Sequence, residues 1–265
     1  MLRLPQATLL MTLLLSSCSE PLGTEHSYMK ERALYNAYVN DSPEHLDGLL
    51  ERWQQEVPPI SDLEFAGLSD KEQAVHEVFE AFYDPLNNIR LDPEFHDHYY
   101  DNYYWFIVQN NISYRIVDVP GMANEQSVLD RVYLDNFRPQ LHFPDRSIVY
   151  LTMSYYTLLN NFLMDQVIPR GVIATVKDRD ESEKRLQFLK NSMNILSTGQ
   201  WLTISWRMVT APNVHFIDLD ADLREAYLEY GINHKGGYAR MKKSPEGWVV
   251  TESKWSWISK PGVSK

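Results

Sequence analysis

Apolar residues recur at helical spacing through the N-terminal third of the chain. After a helix expected from His26 to about Val39, Ser42-Pro43-Glu44 reads as a helix start, with Ser accepting from free amides and Pro in the first turn. Leu46, Leu49, Leu50 and Trp53 then fall on one face, and Pro58-Pro59 stops the run. Ser69-Asp70-Lys71-Glu72 has the capping-box pattern of Ser followed three residues later by Glu. The helix it opens carries Val75, Val78, Phe79 and Phe82 as its buried stripe and ends at Asp84-Pro85.

The period changes in the middle of the chain. Tyr103–Gln109 and Ile112–Val117 are β-rich runs separated by Asn110-Asn111, and Asn tolerates the positive φ of a two-residue hairpin turn. That register would pair Ile107 with Tyr114 and Trp105 with Ile116 on one core-facing side. Residues 118–145 are rich in loop formers, Ile148–Met164 is expected to be helical, and Lys177–Lys184 leads into a further helix carrying Leu186, Leu189, Met193 and Leu196.

The C-terminal stretch alternates. Leu202, Ile204, Trp206 and Met208 mark a half-buried strand, and Ala226, Leu228 and Tyr230 favour strand over helix for 222–232. Gly236-Gly237 reads as a bend between strands. Gly237–Lys243 and Trp248–Ile258 flank Ser244-Pro245-Glu246-Gly247, which has the favoured residues of a type I turn. Between Val250 and Trp255 the apolar parity changes, as at a bulge. The pattern predicts an α+β protein: N-terminal helices, a central β-hairpin region, and a C-terminal helix packed on an antiparallel meander. No Gly-, Ser- or Pro-rich linker divides it, so 26–265 is expected to be one body, with a helical part (26–95), a hairpin and helix part (96–177) and a helix plus sheet (178–265). The order of elements over 178–258 resembles the second half of the cystatin-like and NTF2-like folds, which implies a helix laid across a curved sheet.

The extreme N-terminus has a different logic. Arg3, a short apolar run from Leu9 to Leu15, and Leu15-Ser16-Ser17-Cys18 make a secretory signal too short to span a bilayer, which needs roughly 20 apolar residues. Leu15-Ser16-Ser17-Cys18 resembles the lipobox of bacterial lipoproteins. The resemblance implies that 1–17 is removed, that the Cys18 thiol carries a diacylglycerol, and that 18–25 is a tether to a membrane. Two or three acyl chains give lasting attachment at about 0.8 kcal/mol per buried methylene. Ser19 resembles the residue of lipoproteins forwarded to an outer membrane, facing periplasm or cell surface.

Cys18 is the single cysteine, so a lipidated chain has no thiol for a disulfide, a zinc site or a nucleophile. The 248 residues after the signal can bury roughly 70–75% of their unfolded surface. The net charge of −11 becomes −12 when Arg3 leaves with the signal, which disfavours nucleic acid as a partner.

Candidate chemistry is sparse. His96 and His98, among Asp92, Glu94, Asp97 and Asp101, have the spacing of two imidazoles on one side of a strand and would suit a metal. The segment follows a helix end and is rich in loop formers, so a solvated loop explains it more simply. Trp201, Trp206, Trp248, Trp255 and Trp257 fall in one expected sheet with Tyr238 nearby, and those facing outward, Trp255, Trp257 and Tyr238 above all, could form a stacking platform for sugar rings, although such residues also fill sheet cores. There is no G-x-S-x-G elbow and no phosphate-loop pattern, and no cofactor is implied. The expectation is a non-catalytic binding or envelope-assembly component with a glycan or envelope-protein partner. The alternative is a pocket-containing enzyme or small-ligand binder using the C-terminal sheet.

Overall fold

Five buried residues in a row, Trp105–Gln109, place the first strand, β1, between two cores. The computed structural model describes residues 23–85, 103–122, 130–164, 176–200, 205–232 and 235–258. Cys18, His96, His98, Trp201, Leu202 and Ile204 lie outside the described residues. The fold is α+β, as the pattern predicted, and among the described residues no helix is long and apolar enough to cross a membrane.

The N-terminal helices follow the periodicity. Helix α1 (Gly23–Val39) pairs with α2 (Pro43–Glu56), which buries Leu46, Leu49, Leu50 and Trp53. Ser42 does not cap α2 with its side chain; its hydroxyl is engaged by Glu44 and by His45 Nδ1 at 2.6 Å. A short α3 (Asp62–Ala66), absent from the pattern reading, has its own capping box of Ser61 and Glu64. In α4 (Asp70–Phe82) the Ser69–Glu72 box forms in both directions and the predicted stripe is buried.

The central hairpin does not exist. Strand β1 pairs in parallel with β4 (Ser147–Leu151), whereas β2 (Asn111–Ile116) joins a different sheet between β3 (Val132–Asp135) and β7 (Asn213–Leu219). Asn110 is a buried corner rather than a turn tip: it exchanges hydrogen bonds with the Phe137 backbone at 2.8 and 3.0 Å. Ile107 therefore faces Val149, and Tyr114 faces Ile217 and Val132. A strand covered on both faces suits a parallel pair, and its continuous apolar run hides which neighbour it takes.

The β1–β4 pair is a septum. Trp105, Ile107 and Val149 join a helical core with Leu34, Trp53, Leu159 and Leu189, while Phe106, Val108 and Tyr150 join a second core beneath the large sheet. Polar side chains replace missing ladder bonds at its rim. Gln109 Oε1 accepts from Val214 N at 2.6 Å and its Nε2 donates to Val214 O at 2.9 Å. Asn194 Oδ1 accepts from Ile107 N at 2.6 Å and its Nδ2 donates to Ala211 O at 3.0 Å. Buried backbone groups must be paired, and these amides do it where strands diverge.

Two expected helices are shorter than predicted. Residues Ser147–Leu151 are β4, and helix α5 (Met153–Met164) begins only after Thr152, whose Oγ1 accepts from Tyr155 N at 3.4 Å. Helix α6 (Val176–Lys190) stops before Met193, and Leu196 belongs to β5 (Ile195–Gln200), paired with β6 (Ser205–Thr210). Buried Asn194, bonded on both sides, fixes that break.

The C-terminal meander forms as read. Strands β8 (Glu225–Ile232), β9 (Lys235–Ser244) and β10 (Gly247–Ile258) extend β7 in antiparallel order, giving a six-stranded sheet β10-β9-β8-β7-β2-β3. Gly236-Gly237 lies within β9 rather than at a bend, with Tyr230 crossing Gly237 so closely that a Cβ there would sit 2.9 Å from its ring. Register shifts between Val250 and Glu252 and between Trp255 and Trp257 account for the parity change. The helix over the meander is α4, which contacts β10 and whose Val78, Phe79 and Phe82 share one core with Ala226, Leu228, Tyr230 and Met241, Phe82 lying against the Tyr230 ring. Helix α6 instead packs on α5 and β5, because its apolar residues Leu186, Phe188 and Leu189 belong to the helical core.

Candidate functional site

The inner face of the six-stranded sheet is covered by α4 and by the β1–β4 pair, so its outer face carries the side chains that alternate away from the core. Read across the strands, one row is Arg115, Asp218, Tyr227, Arg240 and Glu252. The next is Phe216, Glu229, Tyr238 and Lys254, and beyond it the backbone of Gly231 and Gly236 floors a third. Ser113 and Tyr133 extend the second row toward β3.

One end of this face is closed. Arg115 and Asp218 form a two-pronged ion pair at 2.6 and 2.8 Å, 3% and 0% exposed. Asp218 raises the proton affinity of Arg115 further, chiefly through their hydrogen bond. Asp218 also accepts from the Gly121 backbone at 3.2 Å, and Arg240 donates to Pro120 O at 3.1 Å, so the loop after β2 is pinned over the sheet. Gly121 has φ +80°, and a Cβ there would lie 2.6 Å from the Tyr227 ring, so both conformation and contact require glycine. Arg131 stacks over Phe216 at 4.1 Å, with its Nε unpartnered among the described residues.

The other end is open. Tyr227 and Tyr238 stack at 5.5 Å with rings 23° apart, and Arg240 lies over Tyr227. Tyr227 donates to Glu229 at 3.0 Å; burial first, then Glu229, push its hydroxyl pKa up. Glu252 receives Lys254, Tyr238 and Arg240, and the Lys254 bond is the main reason its carboxyl lies below the usual range. His215 is exposed beside Gly231, where an added Cβ would meet its Nε2 at 3.0 Å. The named charges, Arg115, Arg131, Arg240 and Lys254 against Asp218, Glu229 and Glu252, nearly balance in a chain of net charge −11. Such a face offers stacking, paired donors and acceptors, and a glycine-floored strip.

Of the aromatic residues singled out from the sequence, Tyr238, Trp255 and Trp257 do not form one platform, and Trp248 is buried with its indole on Glu77. Tyr238 is on the outer face. Trp255, 36% exposed, lies on the inner side beyond α4 and continues a chain of rings from Phe82 through Tyr230, at 4.9 and 5.5 Å. Trp257 pairs through its backbone with Gly236. The register shift before Trp257 is why residues two apart in sequence need not share a row. Sequence reasoning missed Arg115, Asp218, Glu229 and Arg240. Their strand parity is the only local signal, since the ion pair joins residues 103 apart.

A second feature is an open cleft of about 500 Å³ between α4 and the β9–β10 turn, lined by Glu77, Glu80, Lys243, Glu246 and Trp248 among others. Glu77 accepts from Lys243 at 2.7 Å and from the Trp248 indole at 3.1 Å. Glu80 accepts from Gln140 N at 2.6 Å, and burial pushes its carboxyl up to about 7. Among the described residues no group of three or more His, Cys, Asp or Glu is arranged to hold a metal.

Comparison of the chain with protein-family models, with curated proteins and with solved structures gave no match.

Proposed function

We propose that the chain is a bacterial lipoprotein, held at the outer membrane by lipid on Cys18, that acts as a non-catalytic binding component through the outer face of its six-stranded sheet. The observation that carries the reading is that face itself. It is a polar and aromatic surface with nearly balanced charge, whose cations are engaged by carboxylates or rings rather than poised for chemistry. Its partner is a glycan or an envelope protein. Surfaces built from Tyr and Arg with satisfied polar neighbours bind through area and stacking.

The anchor and the face are tested separately. Cys18→Ser should abolish labelling by a radioactive fatty acid and release the protein from membranes; a variant that still carries lipid ends the anchor proposal. For the face, the mature chain is titrated with a panel of neutral and acidic glycans while its unfolding midpoint is followed. A ligand at 100 times its dissociation constant adds about 2.7 kcal/mol. Binding that survives Tyr238→Ala and Lys254→Ala would remove the outer face from the proposal. The cleft supports a second reading, a small-ligand binder, because Glu80 there holds its proton near neutral pH. A ligand whose binding is lost in Glu80→Gln but kept in Tyr238→Ala would favour it.

A further inference from the structure

Helix α4 buries an imidazole between two aromatic rings. His76 is 4% exposed, and its Nδ1 has no hydrogen-bond partner among the described residues. The Phe137 ring lies 4.4 Å from it and the Phe65 ring of α3 lies 5.9 Å away, edge-on. Buried polar groups are normally paired, and a proton on this ring would create a charge that its aromatic slot cannot solvate.

The two walls of the slot are held unequally. Phe137 belongs to the core beneath the large sheet and exchanges hydrogen bonds with Asn110. Helix α3 buries none of its residues. Its segment is tied to residues 138–140 by polar bonds: Ile60 N donates to Arg138 O at 2.9 Å, Arg138 donates to Pro58 O at 3.0 Å and to Glu64 at 3.1 Å, and Gln140 donates to Ile60 O and Asp62, both at 2.9 Å. An exposed unit with few apolar contacts opens at the low end of local stability. The weaker wall is therefore Phe65.

The charges around the ring decide how it responds to acid. Burial, joined by Arg138 from the 137–140 segment, keeps the enclosed ring neutral down to about 4, against 6.5 for a free imidazole. Glu72 on α4 favours the charged form, but it already accepts from the Ser69 amide and hydroxyl. Glu64 faces Arg138 from α3, and Ser61 holds its carboxyl below the usual carboxylate range. Glu80, one turn further along α4, meets the segment through Gln140 N. An opened ring binds a proton more tightly than an enclosed one, so falling pH favours the open form.

We infer that α3 is an acid-released clasp on α4: when His76 takes a proton, the imidazolium leaves its slot on the Phe65 side and α3 lifts away, while Phe137 stays in the core. Return to neutral pH closes the clasp. Opening bares the Phe65 ring and the α4 surface beneath it. The inference does not depend on the lipid anchor or on what the outer face binds.

The test is hydrogen exchange of the full chain in detergent, read by mass spectrometry and corrected for the intrinsic rate at each pH. Protection of peptides covering 60–67 should fall about tenfold as pH is lowered from 6.5 to 4, while peptides covering 77–83 keep theirs. His76→Phe, which keeps a ring in the slot but takes no proton, should give a flat profile. His76→Leu should do the same and serves if the larger ring does not fold. Glu80→Gln, which still offers Gln140 N an acceptor, should keep the slope of the parent. A parent profile without slope, the same slope in both His76 variants, a slope lost in Glu80→Gln, or residues 77–83 opening in step with 60–67 would each overturn the inference.

Discussion

Replacing Asp218 with alanine strips a buried guanidinium of its partner. The pair is 3% and 0% exposed, so solvent does little to screen it. Breaking such a pair by removing one member costs about 3–5 kcal/mol, because an uncompensated charge is left inside. Arg115 cannot relieve the cost by losing a proton. The Gly121 amide loses its acceptor as well. Against a total stability of about 5–15 kcal/mol the loss is large, and at about 2–4 °C per kcal/mol for a chain of this size it lowers the midpoint by roughly 6–20 °C. The assay is urea unfolding followed by circular dichroism for the parent, Asp218→Ala, Arg115→Met and the double variant Arg115→Met with Asp218→Leu. The double variant should lie well above the sum of the singles, since apolar replacement of both members removes the buried charge altogether. A cost below about 1 kcal/mol for Asp218→Ala, or strict additivity in the cycle, would refute the claim that this pair holds the loop on the sheet.

Helix α4 carries two groups with opposite pH dependence. Burial holds His76 down to about 4 from 6.5, with Arg138 adding to this and Glu72 opposing it, so its contribution is present above 6.5 and lost as pH falls toward 4. Burial lifts Glu80 to about 7 from 4.5, with Glu77 adding and the Gln140 amide opposing, so its contribution is full below 4.5 and lost as pH rises through 7. The two slopes cancel between 4.5 and 6.5, each worth on the order of 1–2 kcal/mol after allowance for solvent screening. Glu80→Gln should therefore gain about 1 kcal/mol over the parent at pH 8 but little at pH 4.5; an equal gap in urea midpoints at both would exclude the assignment. Gln109→Leu leaves buried Val214 N and O without partners and should cost about 2–4 kcal/mol. Hydrogen exchange at the Val214 amide, unchanged in that variant, would show that the side chain is not the ladder substitute described.

What was legible in the sequence was what repeats locally. Leu46, Leu49, Leu50 and Trp53, the Ser69–Glu72 box, the alternation of β8 and the Ser244–Gly247 turn each needed only neighbours a few residues away. Strand β1 was recognisable as a strand but not placeable. It is apolar on both sides, and its partner β4 begins 42 residues after it. Asn110-Asn111 looked like a hairpin turn because Asn suits positive φ, yet Asn110 is spent on Phe137. The helix after Ile148 was overextended since β-branched and aromatic residues there also fit a helical stripe. Of the outer face, Tyr238 was legible as an aromatic in a sheet. Arg115 and Asp218 were not, because nothing in a local window marks two strand residues as an ion pair.

The septum of β1 and β4 also fixes how the molecule bears load. A pull on α1 passes through its contacts with α2 and α5 into Trp105 and Ile107, and from the opposite side of the same strand, Phe106 and Val108, into the sheet. Gln109 and Asn194 tie that strand to the start of β7 and the segment before it, so the transmitted force meets backbone hydrogen bonds rather than a flexible joint. The helical end and the sheet are thus coupled through hydrogen-bonded backbone and respond to a load as one piece.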